Sequence, residues 1–226
     1  MNSIPKPLKA VIFDLDGTLV DTAEEFIVVV QALRAEHGLN SMNKNLIRSA
    51  VSSGARALVR LALDMHFDHA EFESKRLRLL QLYSEVLGSA AKPYPGIENF
   101  IAALEKQGIA WGIATNKPRA YTAPLLQKLN LQPPPSCVVC PDDVKETKPH
   151  PEALLLSCEK IGCTPQQAIY VGDHKRDIEA GTRAGMYTVA ACYGYIEDND
   201  NPNEWGASNQ VDCSTKLQHL IMGNPE

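Results

Sequence analysis

Short apolar runs recur along the chain, and each run ends in polar or glycine residues. The runs cover residues 10–13, 109–114, 137–140, 168–171 and 187–191. Amphipathic patterns that predict helices lie between the later runs, at residues 97–106, 120–129, 151–161 and 177–184, and Pro124 is expected to interrupt the second of them early. Apolar strands that alternate with helices are typical of a parallel sheet covered on both faces. The pattern therefore predicts an α/β fold with a doubly wound parallel sheet.

A long helical insertion separates the first apolar run from the second. Amphipathic patterns at residues 23–37, 45–52, 56–65 and 71–87 predict helices there, and the turn sequence PYPG at residues 93–96 indicates the return to the sheet. We therefore expect an α/β core domain of residues 1–20 and 93–226 and a helical cap domain of residues 21–92. A cap above the sheet edge would exclude water and select a substrate; an insertion without function is the alternative.

The composition is ordinary for a globular protein, with 44% hydrophobic and 22% charged residues among 226. No apolar run approaches the roughly 20 residues that span a bilayer, and the first residues do not resemble a secretory signal, so a cytoplasmic location is expected. The formal net charge of -5 argues against nucleic acid or an anionic membrane as a partner. It also means that an anionic substrate needs a local cation.

Polar side chains suited to catalysis follow the predicted strands, at the ends where ligands bind in open parallel sheets. They are Asp14 and Asp16 after the first strand, Thr115 and Asn116 after the second, Lys148 beyond the third, and Asp173 and Asp177 after the fourth. Carboxylates this close repel one another unless a cation lies among them. A hard divalent ion such as Mg²⁺ would neutralise them, and a lysine and a threonine hydroxyl would bind a phosphate.

The pair Asp14 and Asp16 suits a two-step reaction. An aspartate carboxylate can attack phosphorus and form an aspartyl-phosphate. A carboxylate two residues later in an extended segment points the same way, so it can protonate the leaving oxygen and then deprotonate a water. Each residue alone could be a helix cap or a solvated side chain, but the combination at the strand ends predicts a phosphatase for a small phosphomonoester.

Four segments resemble the motifs of the haloacid dehalogenase superfamily of phosphatases. The first is DLDGTLVD at residues 14–21, the second TNKP at 115–118, the third KPHP at 148–151 and the fourth GDHKRD at 172–177. The resemblance implies a Rossmann-like core with an inserted α-helical cap. It also implies that Asp14 is the nucleophile and Asp16 the general acid/base.

The same resemblance implies further roles. Thr115 and Lys148 would bind the phosphoryl group, with Asn116 also among the substrate-binding residues. Mg²⁺ would be held by Asp14, by Asp173 and, through its backbone carbonyl, by Asp16. Asp177 would support either the water shell of the metal or Lys148.

Within the superfamily the chain is similar to two groups of phosphatases. The sequences SGARA at residues 53–57 and NPNEWGA at 201–207 resemble N-acetylmuramic acid 6-phosphate phosphatases, and SSGAR at 52–56 resembles phosphoglycolate phosphatases. Both substrates carry a carboxylate, so Arg56 is expected to pair with it and Gly54 to lie in the substrate-binding segment; an exposed arginine without this role is the alternative.

Two other functions fit the same motifs. One is a phosphomutase of the β-phosphoglucomutase type, which returns the phosphoryl group to a sugar instead of to water. The other is a non-enzymatic receiver-like domain that is phosphorylated on an aspartate, although receivers lack both a second aspartate two residues on and an inserted cap. In each case the chain is expected to be a monomer or a homodimer.

Overall fold

The computed structural model describes residues 3–223, and a six-stranded parallel sheet forms its centre. In chain order the strands are β1 (Ala10–Phe13), β2 (Val20–Asp21), β3 (Lys92–Pro93), β4 (Ala110–Ala114), β5 (Cys137–Val139), β6 (Ala168–Gly172), β7 (Tyr187–Ala191) and β8 (Asn209–Val211). The sheet has the order β5-β4-β1-β6-β7-β8, and every neighbouring pair in it is parallel. The predicted parallel sheet is confirmed.

Helices cover this sheet and also fill the segment between β2 and β3. They are α1 (Ala23–Glu36), α2 (Lys44–Ser49), α3 (Gly54–Leu63), α4 (Phe72–Val86), α5 (Ile97–Lys106), α6 (Arg119–Leu129), α7 (Glu152–Ile161), α8 (Lys175–Ala184) and α9 (Lys216–Met222). α5 packs on β4, α7 on β4 and β5, and α8 on β6 and β7. Strand and helix thus alternate as the apolar pattern predicts.

The central strand β1 is buried on both of its faces. Val11 and Phe13 belong to one hydrophobic cluster, in which the rings of Phe13 and Phe100 meet edge-on with 6.0 Å between their centroids. Ala10 and Ile12 belong to a second cluster. Because side chains alternate across a strand, a run that is apolar at every position fits a strand covered on both sides.

Helices α1–α4 pack on one another between β2 and β3, and we call them, with their connecting loops, the four-helix insert. α1 lies against the other three helices, and Leu33 of α1, Leu58 of α3 and Leu79 of α4 are fully buried. The chain enters and leaves the insert at one place, because β2 and β3 pair as an antiparallel ribbon. The domain limits given above stay a prediction.

The structure differs from the sequence expectation in several details, and the β2–β3 ribbon, which was not predicted, is one of them. The predicted interruption of α6 is wrong, because the helix continues through Pro124; the proline removes a single backbone hydrogen bond, and the fully buried Thr122 and Leu125 keep the helix packed. β8 and α9 were not predicted, since β8 is short and begins with the polar residues Asn209 and Gln210. No helix within residues 3–223 is long and apolar enough to cross a membrane.

Candidate active site

Three central strands end at residues that the sequence pattern selects. Asp14 follows β1, Thr115 follows β4 and Asp173 follows β6. The backbone N–H of Asp14 donates to the Val171 carbonyl at 2.8 Å, so the hydrogen bonding of the sheet continues into the site. Because the strands are parallel, these residues share one edge of the sheet.

Lys148 is the centre of a buried hydrogen-bond network. Its side chain is fully buried, and Nζ lies 2.9 Å from Asp14 Oδ1, 2.7 Å from Asp177 Oδ1 and 2.8 Å from the Tyr170 hydroxyl. The Tyr170 hydroxyl donates in turn to the Ala114 carbonyl at 2.9 Å. An ammonium group has three N–H donors, so these three oxygens satisfy it. The network fixes the Asp14 carboxylate beside a buried ammonium group.

The two carboxylates beside Lys148 have opposite pKa shifts. Burial raises the pKa of Asp14; the charge of Lys148 offsets part of this effect, and Asp177 adds to it. Burial also acts to raise the pKa of Asp177, but the charges of Lys148 and Arg176 outweigh it and lower that pKa. Asp177 is therefore the counter-charge of the buried lysine, and Asp14 is the less neutralised carboxylate.

Asp173 lies beside Asp14 and is surrounded by hydrogen-bond donors. Thr18 Oγ1 donates to Oδ1 at 3.0 Å, and Ser52 Oγ and the backbone N–H of Tyr195 donate to Oδ2 at 2.8 and 2.9 Å. Burial, together with the charges of the two neighbouring aspartates, raises the pKa of Asp173 to about 7. Its charge is thus held by neutral groups and lacks a cationic partner within residues 3–223.

Asp14, Asp173 and Asp177 form an acidic cluster that fits a divalent cation. Each residue offers one carboxylate oxygen, and these oxygens all lie within 4.8 Å of one another. Burial is the main cause of the raised pKa of Asp173, and the negative charges of Asp14 and Asp177 add to it. Carboxylate oxygens are the ligands that Mg²⁺ prefers in proteins. The donor set therefore suits this ion.

The turn after β1 requires glycine at position 17. Gly17 has a φ of +83°, and a Cβ added there would lie 2.1 Å from Asp173 Oδ2. Glycine alone adopts this conformation without strain and leaves room for the carboxylate. The backbone after Asp14 can therefore approach Asp173 closely.

Asp16 has partners of its own. Both of its carboxylate oxygens lie 3.1 Å from Lys117 Nζ, and Thr22 Oγ1 donates to Oδ1 at 2.7 Å. Its side chain is 18% exposed, compared with 6% for Asp14. Both carboxylates line the same cavity, in agreement with their spacing of two residues.

Thr115 and Asn116 organise the loop after β4 and also line that cavity. The buried Thr115 hydroxyl accepts from the N–H of Lys117 at 3.1 Å. The Asn116 side chain bonds twice to the backbone of Lys148: Nδ2 donates to its carbonyl at 3.0 Å, and Oδ1 accepts from its N–H at 3.1 Å. Asn116 thereby fixes the backbone that carries the buried lysine, and its predicted contact with a substrate stays a prediction.

A cavity of about 550 Å³ lies between the sheet edge and the four-helix insert. On the insert side its wall includes Phe26, Ser52, Gly54, Arg56, Arg76 and Tyr83. The exposed guanidinium of Arg56 stands over the rings of Phe67 and Phe72, 5.2 and 5.1 Å from their centroids. Gly54 begins α3, and a Cβ there would meet nothing within 4 Å. The structure therefore brings both predicted cap residues to the cavity that contains Asp14.

Several residues of this site were not selected from the sequence, and Tyr170, Lys117 and Ser52 are three of them. Tyr170 was detectable in principle, because it is the one hydroxyl-bearing side chain in the apolar run 168–171. Lys117 stood inside the quoted motif TNKP without a role. Nothing in the sequence marked Ser52 as a partner of Asp173, since 121 positions separate them.

Known proteins are similar to this chain in both sequence and fold. A family model described as haloacid dehalogenase-like hydrolase matches residues 11–191. The chain is 46% identical over 214 residues to the N-acetylmuramic acid 6-phosphate phosphatase of Pseudomonas aeruginosa, which covers 95% of each chain. It is 39% identical over 209 residues to a phosphoglycolate phosphatase of Xanthomonas campestris, covering 92% of this chain and 94% of the other. A crystal structure of a predicted phosphoglycolate phosphatase from Haemophilus somnus superposes with a TM-score of 0.83 at 26% identity, covering 95% and 98%.

Proposed function

The chain belongs to the haloacid dehalogenase-like hydrolase family, and from this membership we propose that it is a Mg²⁺-dependent phosphatase that forms an aspartyl-phosphate on Asp14. One observation carries the proposal: Asp14, which lines a cavity, lies 2.9 Å from the buried ammonium of Lys148. A carboxylate nucleophile needs such a fixed positive neighbour to approach an anionic phosphate. Relatives that are 46% and 39% identical are named as phosphatases.

In the first half of the reaction, a carboxylate oxygen of Asp14 attacks phosphorus, and the bond from phosphorus to the alcohol oxygen breaks. Asp16, in its acid form, gives its proton to that oxygen. Thr115 binds the phosphoryl oxygens, and the buried ammonium of Lys148 beside Asp14 stabilises the negative charge that develops on them. The products are the free alcohol and the aspartyl-phosphate.

In the second half, Asp16, now a carboxylate, takes a proton from a water whose oxygen attacks phosphorus. The bond to Asp14 breaks, which releases inorganic phosphate and restores the carboxylate. Mg²⁺ held by Asp14, Asp173 and the backbone carbonyl of Asp16 would neutralise charge and polarise the phosphoryl oxygens. Asp177 holds the Lys148 ammonium in place.

The size of the cavity favours a sugar phosphate as the substrate. Pockets for drug-sized ligands measure about 300–1,000 Å³, and this cavity of about 550 Å³ lies within that range. 2-Phosphoglycolate, a two-carbon acid, would leave most of it empty. Arg56 forms part of the cavity wall and would pair with a substrate carboxylate, and N-acetylmuramic acid 6-phosphate has one on its lactyl group. We therefore place this sugar phosphate ahead of 2-phosphoglycolate; the cytoplasmic location and the monomeric or homodimeric state stay predictions.

A phosphate-release assay tests the proposal. With Mg²⁺ present, kcat/KM should be highest for N-acetylmuramic acid 6-phosphate, about tenfold or more above 2-phosphoglycolate and glucose 6-phosphate. Asp14→Asn should lose at least about 100-fold, because removal of a nucleophile costs orders of magnitude. Transfer of phosphate to a second sugar position would support a phosphomutase instead. Stable phosphorylation without turnover would support the receiver-like alternative.

A further inference from the structure

Lys117 is a charged side chain that the proposed mechanism leaves without a role. It is 8% exposed and forms part of the cavity wall. Its ammonium lies 3.1 Å from both carboxylate oxygens of Asp16 and donates to the Tyr83 hydroxyl at 2.6 Å. Its donors are thus divided between the candidate acid/base beside the sheet and a residue of the four-helix insert.

Two aromatic rings of the insert lie beside this ammonium. Nζ lies 5.2 Å from the ring centroid of Phe26 and 4.5 Å from that of Tyr83, and the two rings stack with 4.3 Å between centroids. A cation within about 6 Å of a ring centroid is attracted to the ring, more strongly where water is excluded. Phe26 belongs to α1 and Tyr83 to α4, so the first and last helices of the insert both contact Lys117.

The backbone of Lys117 is fixed on both sides. Its N–H donates to Thr115 Oγ1 at 3.1 Å, and its carbonyl accepts from Thr122 Oγ1 at 3.0 Å. The side chain therefore starts from a rigid position on the core. A movement of the insert away from the sheet would remove the aromatic faces and the Tyr83 hydroxyl while leaving Lys117 behind.

Stability is a weak reason for this ion pair. Removing two charges from water costs about as much as their mutual attraction returns, so an apolar pair would stabilise the fold equally well. Orientation is the stronger reason, because contact with both oxygens fixes the carboxylate of Asp16. An oriented carboxylate is what the second half of the reaction needs, because Asp16 there accepts a proton from water.

We infer that Lys117 is a positioning residue that holds the Asp16 carboxylate for hydrolysis of the aspartyl-phosphate, and that Phe26 and Tyr83 of the insert hold Lys117 in that position. The inference rests on the proposed function. Lys117 exchanges no proton: the water gives its proton to Asp16, and its oxygen bonds to phosphorus as the bond to Asp14 breaks.

Burst kinetics with p-nitrophenyl phosphate separate the two halves of the reaction. p-Nitrophenolate leaves without a proton donor, so its release in the first turnover reports attack by Asp14 alone. Lys117→Met should release about one equivalent at the wild-type rate and then turn over about 100-fold more slowly than wild type, with the aspartyl-phosphate recovered by acid quench. Equal slowing of the burst and the steady state would overturn the inference.

A double-mutant cycle tests whether Lys117 acts through Asp16. In an Asp16→Asn background, Lys117→Met should change steady-state turnover by less than about twofold, because the group to be oriented is already absent. A further loss of about tenfold would show that Lys117 contacts the phosphoryl group itself, and the inference would be wrong.

Tyr83→Phe is the second variant, which serves also if Lys117→Met does not fold. It keeps the ring stack and removes only the hydroxyl, so it should slow the same hydrolysis step by about 3- to 10-fold. Unchanged hydrolysis in Tyr83→Phe would remove the insert from the inference and overturn it in this form.

Lys128→Met is the matched control. Lys128 also connects the core to the insert, because its ammonium donates to the Leu87 carbonyl after α4, but it does not contact Asp16. Lys128→Met should leave both steps unchanged. If it also showed a burst followed by slow turnover, as expected of Lys117→Met, the effect would come from any contact between core and insert, and the inference would be overturned. A wild-type chain that releases no phosphate from any phosphomonoester would instead overturn the proposed function.

Discussion

The Tyr170 hydroxyl connects Lys148 Nζ to the Ala114 carbonyl, and thereby ties the charged centre of the site to the middle of the sheet. It also lies 3.3 Å from Asp177 Oδ1. Burial, with the charges of the nearby aspartates, raises the pKa of Tyr170 well above its usual value, so the hydroxyl keeps its proton. At the residue scale, a neutral group without a catalytic role therefore decides where the lysine charge lies.

Tyr170→Phe tests this role. The change keeps the ring and leaves a buried carbonyl and one lysine donor without a partner, so we expect the free energy of unfolding to fall by about 1–3 kcal/mol, together with kcat. Urea denaturation measures the effect. Tyr187→Phe is the control, because Tyr187 is also buried and its hydroxyl makes no hydrogen bond within residues 3–223. Equal losses in both variants would contradict the role of the Tyr170 hydroxyl.

Arg56→Ala tests the choice of substrate. We expect kcat/KM for N-acetylmuramic acid 6-phosphate to fall about tenfold, and that for p-nitrophenyl phosphate to stay within about twofold, because only the first substrate has a carboxylate to pair. Arg60→Ala is the matched control: its guanidinium also lies over the Phe67 ring, at 5.5 Å, but Arg60 is not part of this cavity's wall. Similar losses on both substrates would exclude Arg56 from carboxylate recognition.

At the scale of elements, the strands and helices with strong patterns were predictable and the short connections were not. β1 and β7 have the predicted limits, because every residue in them is buried and apolar or small. The ribbon of β2 and β3 was missed, since two residues per strand leave no periodicity to detect. Tertiary contacts, and not local preference, hold such elements in place.

Gly17→Ala tests the turn between β1 and β2. Gly38→Ala is the control, because Gly38 also has a positive φ, +67°, but a Cβ there would meet nothing within 4 Å. We expect Gly38→Ala to lower the free energy of unfolding by about 1–2 kcal/mol from backbone strain alone. Gly17→Ala should lower it further and abolish phosphate release, because its Cβ displaces Asp173. If the two variants had the same free energy of unfolding and the same rate of phosphate release, this account would be contradicted.

The contact between β2 and α2 predicts a dependence of stability on pH. Burial acts to raise the pKa of Asp21, but hydrogen bonds from Arg48 and Tyr195 outweigh it and lower the pKa. A lowered carboxylate pKa adds stability above the unfolded value of about 3.9, and this stability is lost as the pH falls through the folded value. The difference in free energy of unfolding between wild type and Asp21→Asn should therefore be largest near neutral pH. It should shrink as the pH falls below about 4. A difference that is constant between these limits in urea denaturation would contradict the assignment.

At the scale of the whole molecule, an acidic chain has to bind an acidic ligand. The formal net charge is -5, and three buried aspartates lie at the site against the one ammonium of Lys148, which contacts two of them, Asp14 and Asp177. Long-range attraction cannot bring phosphate to such a protein, so local cations must do so. This is the physical reason for expecting a divalent ion among the aspartates.

Mg²⁺ should therefore raise the melting temperature. A ligand that binds only the folded state stabilises it by about 2.7 kcal/mol at a hundredfold excess over its Kd. We expect Asp173→Asn to abolish the Mg²⁺-dependent shift, and Asp212→Asn, which changes an exposed aspartate paired with Lys216, to retain it. Thermal denaturation with Mg²⁺ and with excess chelator measures the shift. A shift that survives in Asp173→Asn would exclude the acidic cluster as the metal site.

The types of side chain at the site could be predicted from the sequence better than the contacts between them. The carboxylates and the lysine could be predicted because strand ends in a parallel sheet must meet at one edge. The pairing of Asp16 with Lys117 spans 101 positions and depends on side-chain directions that no local pattern encodes. The bond from Ser52 to Asp173 joins the insert to the core in the same way. Such pairs become visible only in the folded chain.

Because β2 and β3 pair with each other, the two ends of the insert lie next to each other. An insertion of this kind can be lengthened, shortened or exchanged in evolution while the strand order of the sheet stays the same. The residues at the sheet edge and the part of the cavity wall that the insert supplies are consequently free to diversify at different speeds. A replacement would have to supply again the contacts that the insert makes with the core, among them the aromatic rings beside Lys117 and the hydroxyl that donates to Asp173.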